Sequence, residues 1–383
     1  MNIFELLAND YTLRVVSLGS AMLGFVSGIV GSFAVLKKQG LLGDAVSHAS
    51  LPGIAIMFIL IQTKSTEIFM LGALIAGLLA TALINVIVKY SRIKMDSAMA
   101  LILSVFFGFG LVLLTYIQKI PNANQAGLEK FIFGQASTLL RRDIYLILVI
   151  SILLISLIVI FWKEFKIVTF DADFADSIGI SSKKISYILS SMIVLSIIIG
   201  LQSVGVILMS ALLVAPGVAA RQWTNKLSVM VILAGSFGAV SGLVGTLISS
   251  SMQKMPTGPS IVLVISLIVF ISITMSPNRG ILWRYVRQIK HQSDINEDQV
   301  LLNLYDLAMN HKNLYHSHDI TAIKPMKTQG GKKLKHLKNI LGNLQDKGLV
   351  KEEQIEAWAI TEDGLSYIMK HPMRKEENDV TSN

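Results

Sequence analysis

The sequence contains no cysteine, only 8 prolines, and charged residues at just 15% of its 383 positions. The missing thiols exclude disulfides and thiolate-held metals, so a transition metal bound here must be held by oxygen and nitrogen. So little charge, with 52% of residues hydrophobic and a mean hydropathy of +0.60, lies outside the range of ordinary soluble domains. Also absent are a Gly-x-x-x-x-Gly-Lys-[Ser/Thr] phosphate loop and any nucleophile triad or paired carboxylates. The chain therefore reads as no enzyme. Energy for pumping would have to come from an ion gradient or from another subunit.

What is present is apolar sequence in long runs. A stretch of roughly 17–25 apolar residues crosses a ~30 Å hydrocarbon core, and nine segments qualify: about 12–36, 44–62, 67–89, 95–117, 143–162, 184–200, 204–220, 227–250 and 259–275. The expected fold is an all-α polytopic membrane protein with about nine transmembrane segments. Residues 1–10 carry Glu5 and Asp10 instead of a basic run, so the first segment is expected to stay uncleaved. Residues 1–276 hold 18 Lys/Arg against 11 Asp/Glu, whereas 277–383 hold 16 against 14. The surplus of positive charge thus lies among the spans. Placing the C-terminus inside puts Lys37, Lys38, Lys89, Arg92, Lys94, Lys163, Lys166, Lys183, Lys184, Arg221 and Lys226 in inner loops, as the positive-inside rule demands. Trp162, Trp223 and Trp283 fall at the same inner boundaries, where an indole keeps its ring in hydrocarbon and its N–H in the headgroups. In the first span, Gly24, Gly28 and Gly31 have small-residue spacing, which allows either plain close packing or a helix-lined path between protomers.

Within this apolar background lies Gly43-Asp44-Ala45-Val46-Ser47-His48-Ala49-Ser50-Leu51-Pro52-Gly53. At i and i+4, Asp44 and His48 share one helix face, so both can reach a single cation. Ionisable groups inside spans are costly and mark functional positions. An oxygen and a nitrogen ligand suit Mn²⁺, Fe²⁺ or Zn²⁺ better than Mg²⁺ or Ca²⁺, which favour all-oxygen shells. One pair per chain is too few ligands for a tight site, which points to transport and to a second protomer supplying the rest. The plainer alternative makes Asp44 the cap of a helix starting after Gly43, with His48 bonded to a backbone carbonyl.

In the longest inner loop, Phe170, Phe174 and Ile178 recur every four residues beside Asp171, Asp173 and Asp176, and Gly179 follows. This pattern predicts a short amphipathic helix, too short to persist without something to pack on, whether a cytoplasmic partner or its own bundle. Beyond a juxtamembrane linker at 277–292, residues 293–383 lose the apolar runs and form a small second domain. Its helix, helix, two-strand, helix order is that of a winged helix, with Gly348 ending the second helix and Thr361 capping the last. His311, His316 and His318 cluster there at a spacing that fits no standard metal motif, leaving a solvated loop or a regulatory metal site. Lys332, Lys333, Lys335 and Lys338 mark the second tail helix. The near-neutral tail argues against nucleic acid as a partner.

Several motifs in a fixed order resemble one family, the membrane permeases of bacterial ATP-binding-cassette importers for manganese, zinc or iron. They are Gly43 to Gly53, Lys130-Phe131-Ile132-Phe133-Gly134, the Phe170 to Gly179 loop, Ser203-Val204-Gly205-Val206-Ile207-Leu208 through Ala211-Leu212-Leu213-Val214-Ala215-Pro216, and Pro256-Thr257-Gly258-Pro259. The likeness covers about residues 12–276. Ala100 and Gly217 stand where the family often has Gly and Ala, both small for small. The resemblance implies a helical permease in a bacterial inner or plasma membrane, paired with a second permease protomer of the same or a related chain and surrounded by lipid. It implies two cytoplasmic ATPase subunits, an extracytoplasmic metal-binding protein and no permanently bound cofactor, the metal being cargo. Asp44 and His48 would coordinate the ion, and Phe170, Asp171, Asp173, Phe174, Asp176 and Gly179 would form the coupling helix. Manganese is the first expectation, with iron and zinc close behind. A gradient-driven metal transporter and a membrane-anchored metal sensor using the tail are the alternatives.

Overall fold

The computed structural model describes residues 10–62, 65–119, 141–252, 255–309, 315–320, 322–323, 333–354 and 356–370. The chain divides into two compact units, Met1–Ile281 and Leu282–Asn383. The described elements of the first are all helices: α1 (Tyr11–Leu36), α2 (Leu41–Ile61), α3 (Thr66–Tyr90), α4 (Met95–Gln118), α5 (Arg141–Ile160), the short α6 (Trp162–Phe170) and α7 (Ala172–Ser177), then α8 (Ser182–Val204), α9 (Val206–Trp223), α10 (Leu227–Ser251) and α11 (Thr257–Met275).

Among the described residues, eight helices are long and apolar enough to cross a membrane: α1 to α5, α8, α10 and α11. The ninth expected span, 204–220, is α9, whose 18 residues carry Pro216 in their interior. It is cut from α8 at Gly205, where φ is +89° and ψ 164°, a backbone conformation only glycine adopts without strain. Met209, Leu212, Leu213, Ala219 and Ala220 of α9 are fully buried, and α9 packs on α1, α2, α10 and α11. A broken helix is tolerated at membrane depth because other helices surround it.

The most extensive helix pair is α1 with α10. A Cβ added at Gly24 would stand 2.1 Å from the carbonyl oxygen of Gly238, and one at Gly238 would stand 2.0 Å from that of Gly24. Gly28 meets the backbone at Ala234, and Gly31 meets Leu213 of α9. The glycines of the first span are thus committed to packing within one chain, as small residues at helix crossings are. Similarly, Gly53 of α2 lies against Gly72 of α3, one residue beyond Pro52. The indole of Trp223 departs from the expected interfacial anchoring, because its N–H donates to Ser272 Oγ on α11 at 2.9 Å and ties two helices together. Trp162 sets its ring edge-on to Phe33 at 6.2 Å between centroids.

The second unit begins within the expected linker. Residues Ile281–Met309 form one 29-residue helix, α12, so 277–292 is no separate element. Next come β1 (His318–Asp319), α13 (Lys333–Asp346), β2 (Val350–Gln354), β3 (Ala357–Ile360) and α14 (Glu362–Lys370). The sheet order is β1-β3-β2, antiparallel throughout, the arrangement of a winged helix. Gly348 ends α13 with φ +73°, and the Thr361 hydroxyl accepts from the Gly364 N–H at 3.1 Å. Val300, Leu301, Leu304, Leu341, Leu344, Ile360 and Trp358 form the core. The two-residue β1 escaped sequence reasoning because a strand this short has no periodicity to detect. Trp358→Ala should cost this unit about 3–5 kcal/mol. In the full chain, this should appear as faster trypsin cleavage at Lys and Arg residues of the second unit, Leu282–Asn383, with the first unit's helices intact.

Candidate metal pair and coupling surface

Helix α2 starts at Leu41, after Gly40, with Asp44 already in its first turn. A negative side chain is favoured there by the unpaired peptide N–H groups of the helix start. At 1.5 Å per residue, Asp44 stands roughly 5 Å and His48 roughly 10 Å along α2 from its first residue. Both side chains are half-buried, while Ala45, Val46, Ser47 and Ala49 between and beside them are fully buried. The pair therefore lines a partly open face of a stretch of α2, residues 42–55, that is otherwise buried. Capping by Asp44 is ruled out by the earlier helix start. Among the described residues the Asp44 carboxylate makes no hydrogen bond or ion pair, and His48 Nδ1 is buried with no hydrogen-bond partner. Buried polar atoms are normally satisfied, so such an orphan calls for a reason.

The imidazole is held by packing. Phe107 of α4 meets its ring edge-on, with centroids 4.8 Å apart and planes at 74°. Nothing in the local sequence around Phe107 signals this contact, which comes from α4 crossing α2. Farther along α2, Pro52 has no N–H to give the carbonyl of His48, its i−4 residue, and so weakens the helix beside the pair. The helix has glycine at Gly53 where α3 presses on it.

At α6 and α7 the residues expected to form one helix divide into distinct tasks. Asp171 breaks the helix: it ends α6 and caps α7, its carboxylate accepting from the Phe174 N–H at 2.9 Å. The Asp176 carboxylate accepts from the Ser182 N–H at 2.8 Å and from the Ser182 hydroxyl at 2.7 Å. These bonds, the hydroxyl's first, hold the Asp176 carboxyl below its ordinary pKa. Gly179, at φ +85°, closes the turn, with the Ile180 N–H donating to the Ala175 carbonyl at 2.9 Å. Asp173 stays exposed. Phe170, Phe174 and Ile178 are 55%, 52% and 49% exposed, so all three apolar side chains of this segment are left largely uncovered by the bundle.

In the second unit, His316 and His318 stand edge-on, 5.5 Å between ring centroids. His311 lies outside the described residues, as does Lys130 to Gly134. No group of three or more His, Asp or Glu placed to hold a metal occurs among the described residues. On α13, Lys338 is paired with Glu356 beyond β2, and Glu352 and Glu353 are exposed on β2. Lys351 on the same strand is also exposed and pairs with Glu353, so acids and bases alternate on this surface.

The broken helix α9, the glycine-packed α1 and α10 and the Asp44/His48 helix all lie within residues 9–276, and this span matches the ABC 3 transport family. The chain belongs to that family. It is 50% identical over 282 residues to the zinc transport system membrane protein TroC of Treponema pallidum, covering 74% of this chain and 95% of that one. With the manganese transport system membrane protein MntC of Bacillus subtilis it shares 45% identity over 288 residues, covering 75% of this chain and 66% of that longer one. Among solved structures, PsaBC from Streptococcus pneumoniae in complex with Fab is similar at a TM-score of 0.65 and 31% identity, over 74% of this chain and 98% of that one. This is a multi-pass membrane permease of the ABC 3 family, with the tail beyond the matched residues.

Proposed function

We propose that this permease carries a divalent transition metal into a bacterial cell, Mn²⁺ first and Fe²⁺ or Zn²⁺ next, driven by ATP hydrolysis in separate cytoplasmic subunits. The observation that carries the reading is the Asp44/His48 pair: an oxygen and a nitrogen ligand at i and i+4 inside a membrane helix, both free of hydrogen bonds to described residues. Relatives named for manganese and for zinc transport support the class of ion. Two protomers, each giving one pair, would complete a four-ligand shell, and separating them would release the ion. An extracytoplasmic metal-binding protein would deliver it. The C-terminus is assigned to the cytoplasm by the basic inner loops.

The exposed face of Phe170, Phe174 and Ile178 is the docking surface for the ATPase. Aromatic anchors dominate protein interfaces, so Phe174→Asp should weaken ATPase association by at least about tenfold, read by co-purification and by titration in detergent. The whole reading is tested in proteoliposomes holding permease and ATPase subunits with the binding protein outside. Radioactive manganese should accumulate only with ATP inside the cell-facing compartment. Uptake driven by a proton or sodium gradient without ATP would replace this reading with a secondary transporter.

A further inference from the structure

The end of α1 is gripped from two sides by the segment that carries the exposed coupling face. Phe33, in the last turn of α1, is fully buried, as is Phe165 of α6. Their rings pack at 5.9 Å between centroids, with Trp162 edge-on to Phe33 at 6.2 Å. The second grip is polar. Asp176 of α7 is bonded through Ser182 to the start of α8, and one turn along α8 the Ser186 hydroxyl accepts from Lys37 Nζ at 2.7 Å. Lys37 caps the C-terminus of α1, its N–H donating to the Phe33 carbonyl at 2.9 Å.

The turn after Lys37 is short and internally bonded. Lys38 takes a left-handed conformation at φ +57°, the Gln39 N–H donates to the Ala34 carbonyl at 2.8 Å, and the Leu42 N–H donates to Gln39 at 3.0 Å. Thus α1 hands displacement to α2 with little slack, and Asp44 stands in the first turn beyond. Packed cores shift between discrete arrangements and do not deform continuously, which lets a small movement at one end reappear at the other.

Lys37 stands where a helix C-terminus and an inner loop both favour a cation, yet its ammonium is drawn inward to Ser186. Burial lowers the pKa of Lys37 from its ordinary value, and no carboxylate among the described residues forms an ion pair with it. A half-buried ammonium without an ion pair needs a hydrogen bond, and among the described residues Ser186 supplies it.

We propose that Lys37 and Ser186, together with the Phe33–Phe165 contact, are positioning residues that relay movement of α6 and α7 to the metal pair on α2. The proposal rests on the coupling role assigned above to Phe170, Phe174 and Ile178. In complexes of full-length permease, ATPase subunits and binding protein reconstituted in proteoliposomes, the readout is ATP hydrolysed per manganese ion taken up. Lys37→Met and Ser186→Ala should each raise that ratio about fivefold, with the ATP hydrolysis rate unchanged. The double variant should do no more than either single one, because both remove the same bond. Lys37→Arg, which keeps a donor, should restore a ratio near that of the unaltered protein.

An unchanged ratio in Lys37→Met, or a double variant whose losses multiply to about 25-fold, overturns the relay. Failure of the coupling reading looks different: Phe174→Asp would then bind the ATPase as tightly as the unaltered protein. The Ser186→Ala change removes a single oxygen, so it tests the relay even if Lys37→Met disturbs folding.

Discussion

Asp44→Ala and His48→Ala should each abolish metal uptake in the reconstituted complex while leaving expression, assembly and thermal stability near those of the unaltered protein. Changes to groups that merely orient a ligand typically cost about 10–100-fold in metal affinity, so loss of a coordinating atom should reach or exceed roughly 100-fold. Stability should change little because Asp44 makes no hydrogen bond or ion pair to a described residue and His48 Nδ1 is orphaned, leaving only the helix-start charge of Asp44 and the ring contact with Phe107 to be lost. Removing a poorly satisfied polar group from a half-buried site commonly stabilises a protein at the expense of its activity. Manganese uptake and the melting temperature together decide the matter. Uptake retained in either variant would remove the central claim, and a melting temperature that falls steeply would show that the pair is structural.

Gly24→Leu and Gly238→Leu should produce the opposite pattern, a loss of folded protein irrespective of metal. At this crossing each helix's backbone occupies the place a side chain on the other would need, at 2.1 and 2.0 Å from the added Cβ. Backbone atoms cannot rotate away as a flexible side chain can, so α1 and α10 must separate along their length. The cost should reach or exceed the upper end of overpacking, about 3 kcal/mol, read as a lower melting temperature in detergent and a smaller monodisperse peak on size exclusion. Gly108, beside which an added Cβ meets nothing within 4 Å, supplies the control: Gly108→Leu should leave both readouts near those of the unaltered protein.

The separation between these two kinds of residue was partly legible in the sequence. Asp44 and His48 stood out because charge among apolar spans is conspicuous and because helical periodicity alone puts i and i+4 on one face. The glycines of α1 announced close packing but not its partner, since small-residue spacing is the same whichever helix approaches. The apolar face of Phe170, Phe174 and Ile178 was visible as a period, whereas the acids beside it looked alike. In the structure, Asp171 caps a helix, Asp176 is bonded to Ser182, and Asp173 stays exposed.

Composition and local periodicity determined what depends on neighbours along the chain: a multi-pass helical membrane protein, a carboxylate and an imidazole on one helix face in a chain without cysteine, and a winged-helix order in the tail. Tertiary structure decided what depends on residues far apart in sequence. It buried α9 among other helices, and it turned Trp223 inward onto Ser272. It also set Phe107 against His48 and joined Lys37 to Ser186 across 149 positions. Such contacts leave no periodic signal, because the chain must close a long loop before either partner meets the other.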